Sequence, residues 1–200
     1  ESIAVAVDNA MKKEDSLFLT HRNIHYNLAR LKSLKPELNE YYLKDTGLAG
    51  GNLGSMNLSN PDKGVIYTSS ILGNNLCVGS GYALGNKVND SSGVVFIVTG
   101  DGAIEEGAFY ESFLFLKSNN LPSVILVENN QWSLGTKIDE RRASIDLNLL
   151  SKSIKAEYRL LKGNDPFEYL DAIESFRLVA LQSQCPILIE VELTTYGFWT

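Results

Sequence analysis

Short apolar runs alternate along this chain with stretches of helical spacing, the pattern of a mostly parallel sheet covered by helices on both faces. Three runs read as strands: 94–99 (VVFIVT), 123–127 (SVILV) and 187–193 (ILIEVEL), each short, rich in β-branched residues and bounded by Gly, Pro or Asn. Between the first two, 105–119 carries Phe109, Phe113 and Leu116, spaced four then three, on one side of a helix. A second strand–helix–strand unit starts near Glu157 and passes through a helix at 165–182, capped by Asn164 or Asp165 and opened by Pro166. A further helix is expected at 74–87, where Gly79, Ser80, Gly81 and Ala83 supply small residues for close packing. The first third looks different: 2–12 and 15–32 read as helical, and a short helix follows near 36–44. The segment 47–59 (GLAGGNLGSMNLS) is too rich in glycine for a regular element and reads as a binding loop. The fold class expected is α/β, a three-layer doubly wound sheet, with 1–200 a single domain whose first 46 residues are mainly helical.

Composition narrows the classes without naming a chemistry. The 200 residues carry a formal charge of −6 and are 44% hydrophobic, which suits a packed domain and argues against a nucleic-acid partner. No apolar run approaches the roughly 18 residues of a membrane span, and the start lacks a basic end followed by an apolar stretch. These features predict no membrane association and a soluble, cytoplasmic location. The chain opens with Glu1 rather than Met, as a processed product or a piece of something longer would. Cys77 and Cys185, far apart and in apolar surroundings, are expected in the core rather than in a disulfide or zinc site.

The chemistry concentrates after the VVFIVT strand. Gly100-Asp101-Gly102 follows it directly, and Asn129-Asn130 follows the SVILV strand, with 26 residues between Gly102 and Asn129. In an open parallel sheet, ligands sit outside the carboxyl ends of the strands. A carboxylate and an amide oxygen at two such ends can share one hard cation, and the flanking glycines leave room for a phosphate against the backbone. No GxGxxG follows a strand and no GxxxxGK[ST] occurs, which weakens a generic nucleotide-binding reading.

That spacing resembles the diphosphate-binding signature of thiamine diphosphate enzymes. GDGAIEEGAFYESF and LPSVILVENNQWSLGT are similar to the alpha subunit of the first component of 2-oxo acid and acetoin dehydrogenase complexes, in the transketolase-like superfamily. Thr20-His21-Arg22, GGNLGSMNL at 50–58 and KGND at 162–165 extend the resemblance to nearly the whole chain. It implies that Asp101, the Asn130 side chain and the Trp132 carbonyl hold Mg²⁺. It also implies that Gly100, Gly102 and Ala103 approach the diphosphate, with Arg22 and His21 beside them. Ser70 and Leu72 fall where the family holds the aminopyrimidine ring through backbone groups. Glu106 and Glu111 match acidic positions at a subunit contact, where a buried acidic pair is the expected signature.

The resemblance further implies that the pyrimidine-binding domain, with its activating glutamate, lies outside these 200 residues. A beta-type subunit is the expected partner, in a tetramer of two alpha and two beta chains, with a lipoyl acyltransferase as possible acceptor. The chain alone is then inactive. Departures bear on substrate: Ser55-Met56-Asn57 replaces the family's SMH, His25 is displaced from the usual His-Gly-His, and Thr194-Thr195-Tyr196-Gly197-Phe198 is closer to a transketolase segment. His25 is therefore a weak catalytic candidate. A transketolase-like or acyloin-forming carboligase subunit, or a non-catalytic subunit keeping the fold, are the alternatives.

Overall fold

The computed structural model describes residues 2–194. In chain order it forms α1 (Ser2–Ala10), β1 (Ser16–Thr20), α2 (Ile24–Leu31), α3 (Lys35–Tyr41), β2 (Val65–Ser69), α4 (Asn74–Val88) and β3 (Val95–Gly100). Then follow α5 (Gly107–Ser118), β4 (Ser123–Asn129), a two-rung hairpin of β5 (Trp132–Ser133) and β6 (Thr136–Lys137), α6 (Ile138–Arg141), α7 (Leu147–Ser153), β7 (Glu157–Leu161), α8 (Pro166–Ser183) and β8 (Pro186–Glu192). The main sheet has the order β2-β1-β3-β4-β8-β7 and all its pairs are parallel. Parallel neighbours need crossover connections, which the helices supply on both faces.

Alternation along the strands divides the core in two. Leu17, Leu19, Phe96, Val98, Val124, Leu126, Ile187 and Ile189 face α1 and α8. Phe18, Val95, Ile97, Ile125, Val127 and Leu188 face α4, α5 and α7 through Leu76, Phe109, Phe113, Leu116 and Leu147. The central strands carry unbroken apolar runs, such as Val95–Val98 and Val124–Val127, because both of their faces are covered. At α8, Asp165 Oδ1 accepts the Phe167 and Glu168 N–H groups and Pro166 takes the first helical position, as the sequence predicts. No helix among the described residues is long and apolar enough to cross a membrane.

Two expectations are corrected. Residues 16–20 are the strand β1, not part of a helix, and β1 lies inside the sheet between β2 and β3. The first 46 residues therefore contribute a central strand as well as three helices. The cysteines are not core residues: Cys77 is exposed on α4, and Cys185 is half-buried in the turn between α8 and β8, where its Sγ accepts from Lys117 Nζ at 3.0 Å. Residues 195–200, which include most of the transketolase-like segment, lie outside the described residues.

Candidate functional site

The sheet changes direction between β1 and β3. From β1 the chain steps outward to β2; it then crosses to β3 on the other side of β1 and continues to β4. The carboxyl ends of β1 and β3 thus flank a crevice, the place where ligands enter this kind of sheet. His21 and Arg22 follow β1, and Ser70 follows β2, whose Ser69 pairs with Thr20. Gly100 pairs with Glu128, so Asp101 and Asn130 lie one and two residues beyond that pair on neighbouring strands. The Asp101 N–H donates to the Glu128 carbonyl at 3.2 Å and carries the ladder one step further.

Asp101 is 2% exposed. Its Oδ2 accepts an N–H from the Arg141 guanidinium at 2.7 Å. Burial raises the Asp101 carboxyl above its ordinary range, against the opposing pull of Arg141 and Arg142. Arg141 also pairs with Glu105, and Arg142 Nε lies 3.2 Å from the same Glu105 oxygen. Asn130 Oδ1 accepts the Trp132 N–H at 2.9 Å, folding the chain after β4 into a tight turn through Gln131, whose φ is 64°. Asn129 turns the other way and donates to Glu190 Oε1 at 2.8 Å. The β5–β6 hairpin then lies over Gly102, where an added Cβ would stand 2.7 Å from Ser133 Oγ and 2.9 Å from Ser133 Cβ. Only glycine fits beneath it.

The remaining residues named from sequence are distributed as follows. Ala103 is buried at the start of a short 3₁₀ turn, Ala103–Glu105. His21 is half-buried, and its imidazole pKa is lowered by burial and then by Arg22. Arg22 is exposed and adopts φ 58°, an uncommon left-handed conformation for a residue with a Cβ. Ser70 and Leu72 are exposed between β2 and α4. Trp132 is half-buried, with Lys137 Nζ 5.5 Å from its ring centre. Glu106 and Glu111 are both exposed in this chain, so the expected buried pair is not formed within it. His25 sits in the first turn of α2, its ring 4.7 Å from that of Tyr26 and its Nε2 3.9 Å from Glu128 Oε1. Tyr26 holds the same carboxylate oxygen at 2.8 Å.

Four residues of this region escape a reading of motifs. Arg141 has no periodic signal and meets Asp101 and Glu105 only through the folding of the chain after β4. Glu40, on α3, is fully buried and accepts the N–H groups of Ala49 (2.8 Å), Gly51 (2.9 Å) and Leu53 (2.6 Å) from the glycine-rich segment. Burial alone would raise its pKa, but these donors and Gly54 outweigh it and hold the carboxyl below its ordinary value. Glu37, one turn earlier, is fully buried with neither carboxylate oxygen hydrogen-bonded among the described residues. Burial pushes it up to about 7, with His25 pulling in the opposite direction. A cleft of about 350 Å³ opens beside the site between Ile104, Asn129, Arg142, Ser144, Leu147 and Glu190.

The site can do two things chemically. Oxygen donors from β3, β4 and the turn after β4 suit a hard cation, and the cationic segment after β1 suits an anionic group in the crevice. No cluster of three or more His, Cys, Asp or Glu side chains able to hold a metal exists among the described residues. Any metal here must draw on amide and backbone oxygens beside Asp101.

The pyruvate dehydrogenase E1 component subunit alpha of Rickettsia bellii is 29% identical over 196 residues, which are 98% of this chain and 60% of that protein. The mitochondrial subunit of the same name in Saccharomyces cerevisiae is 29% identical over 197 residues, 98% of this chain and 46% of that one. The chain thus spans less than two thirds of these relatives. Among solved structures, transketolase from Campylobacter jejuni superposes with a TM-score of 0.67 at 18% identity, over 95% of this chain and 32% of that one. Benzoylformate decarboxylase from Polynucleobacter necessarius gives 0.60 at 17%, over 96% and 32%. These two likenesses are of fold. A family model described as the dehydrogenase E1 component matches residues 1–198, and the chain belongs to that family.

Proposed function

We propose that this chain is the cofactor-diphosphate-binding part of a thiamine diphosphate- and Mg²⁺-dependent enzyme that decarboxylates a 2-oxo acid and passes on the acyl group. One observation carries the reading: a nearly buried carboxylate follows β3, an amide follows β4 and a His-Arg pair follows β1, at the carboxyl ends of adjacent parallel strands around the switch point. The names of the curated relatives support the substrate class, and membership of the family supports the cofactor.

The residues present fit the groups. Asp101 already has a cation seated on it, the Arg141 guanidinium, so its pocket accepts positive charge. Asp101, the Asn130 amide oxygen and the Trp132 carbonyl would hold Mg²⁺, all of them oxygen donors. Gly102 and Ala103 would offer backbone N–H groups to the diphosphate, with Gly100 leaving room beside them. Arg22 would pair with phosphate oxygens through its planar fork. His21, its pKa lowered by burial and by Arg22, would give the diphosphate a hydrogen bond. Ser70 and Leu72 would hold the ring of the cofactor through backbone groups. When bound, the cofactor supplies an electron sink for cleavage next to a carbonyl. In this reading, 1–200 is a single diphosphate-binding domain, and the group that activates the cofactor comes from elsewhere.

A beta-type chain is the proposed source, in a tetramer of two and two, with a lipoyl-bearing acyltransferase as acceptor. Support comes from apolar side chains left exposed on α4 and α5: Val78, Tyr82, Tyr110, Leu114 and Phe115. Glu106 and Glu111 would become buried at such a contact.

The test is an assay of the protein purified with its associated chains, using 2-oxo acids, thiamine diphosphate, Mg²⁺ and an artificial electron acceptor. Acceptor reduction that needs a second chain is expected. Failure with every 2-oxo acid, together with turnover of ketose phosphates or acyloins, would move the protein to the carboligase class.

A further inference from the structure

Asp101 is matched in this structure by a side-chain cation, and that cation comes from the segment covering the site. Arg141 ends α6, and its side chain is only 10% exposed against 3% for Asp101. One terminal nitrogen holds Asp101 Oδ2 at 2.7 Å, and the other holds Glu105. The segment behind it is tied down in turn. The Ile138 N–H donates to the Gln131 carbonyl at 2.9 Å, and Arg141 Nε donates to the Thr136 carbonyl at 3.3 Å. Ser133 rests on Gly102 so closely that a methyl group has no room there. Residues 133–142 therefore cover both Asp101 and Gly102, the two positions that the proposed function gives to metal and diphosphate.

A guanidinium and a divalent cation drawn to the same buried carboxylate repel each other, so each weakens the hold of the other on Asp101. Arg141 has somewhere to go, because Glu105 already binds its other nitrogen. We propose that Arg141 is a built-in counter-cation that competes with Mg²⁺ for Asp101, so that the metal enters as Arg141 withdraws and residues 137–142 loosen with it. The inference rests on the reading of Asp101 as a metal ligand. Mg²⁺ alone is then a weak ligand, and Mg²⁺ with a diphosphate is a strong one, since the diphosphate adds negative charge that holds the metal against the competing guanidinium.

The experiment is calorimetric titration of Mg²⁺, alone and with thiamine diphosphate, into the protein in the assembly in which it is purified. Wild type is compared with Arg141→Gln and Arg141→Lys. Arg141→Gln should bind Mg²⁺ at least ~10-fold more tightly, with Arg141→Lys between it and wild type because it keeps the charge on a shorter, less constrained head. Equal or weaker binding by Arg141→Gln, in a sample whose circular dichroism matches wild type, overturns the inference and leaves the cofactor reading standing. Absence of Mg²⁺-dependent cofactor binding in wild type and variants alike overturns both. If Arg141→Gln does not fold, amide hydrogen exchange of wild type decides. Faster exchange across 137–142 on adding Mg²⁺ and thiamine diphosphate supports release of Arg141, and unchanged or slower exchange overturns it.

Discussion

Gly102 shows how far a single missing side chain shapes the site. Its φ of −75° is open to any residue, so the requirement for glycine comes from the Ser133 side chain above it and not from the backbone. Gly102→Ala should push the hairpin away and weaken Mg²⁺-dependent binding of thiamine diphosphate by at least ~10-fold, with recovery in the double variant Gly102→Ala, Ser133→Gly; calorimetry reads both. Glu37 makes a different kind of prediction. Its folded pKa of about 7 lies above the ordinary value of 4.5, so the folded chain keeps this proton while the unfolded chain loses it. Its contribution to stability is full below pH 4.5 and declines as pH rises towards 7, by up to about 3 kcal/mol. Denaturant unfolding at pH 5 and pH 8 should show a smaller difference for Glu37→Gln than for wild type, and an unchanged difference would contradict the assignment. Asp101 was legible in the sequence because it directly follows an unmistakable strand between two glycines. Arg141 was not, since 40 positions of chain separate the pair and nothing local marks the arginine as a partner.

At the scale of elements, the glycine-rich segment 47–59 is fixed at one end by α3 and at the other by α2 and β2. Glu40 collects three of its N–H groups, while the Leu58 carbonyl accepts from Thr68 Oγ1 at 2.7 Å and from Asn27 Nδ2 at 3.2 Å. Glu40→Ala should release the segment, and limited proteolysis should then cut within 47–59 several times faster while the sheet stays intact. Equal cleavage would show that the carboxylate is not what holds it. The strands β1 and β2 are where sequence reading failed or fell silent. Each is five residues long, and SLFLT sits between polar stretches that fit a helical pattern, so periodicity could not separate a short buried strand from a helix turn. The longer strands β3, β4 and β8 and the helices α4, α5 and α8 were legible, because six or more residues display their period, and at α8 Asp165 and Pro166 mark the start. Gly93 joins these elements at one tight point: an added Cβ would stand 1.9 Å from the Glu14 carbonyl oxygen just before β1. Gly93→Ala should lower unfolding stability by about 2 kcal/mol or more, measured by denaturant titration.

For the molecule as a whole, strand order matters more than any motif. Placing β1 between β2 and β3 sets the His21-Arg22 segment beside Asp101, although about 80 residues of sequence separate them. The motif spacing could pair Asp101 with Asn130, which lie on consecutive strands of one crossover unit. It could not by itself supply the central position of β1, which depends on burial by α1 and α8 from opposite ends of the chain. In the proposed function, this crevice holds thiamine diphosphate through a metal on Asp101. Its most direct test is calorimetric titration of thiamine diphosphate, with and without Mg²⁺, into the purified assembly carrying either wild-type chain or Asp101→Ala. Binding that requires Mg²⁺ and is lost in Asp101→Ala is the expected result. Binding that is indifferent to Mg²⁺ or to the substitution, or no binding by wild type, would contradict it.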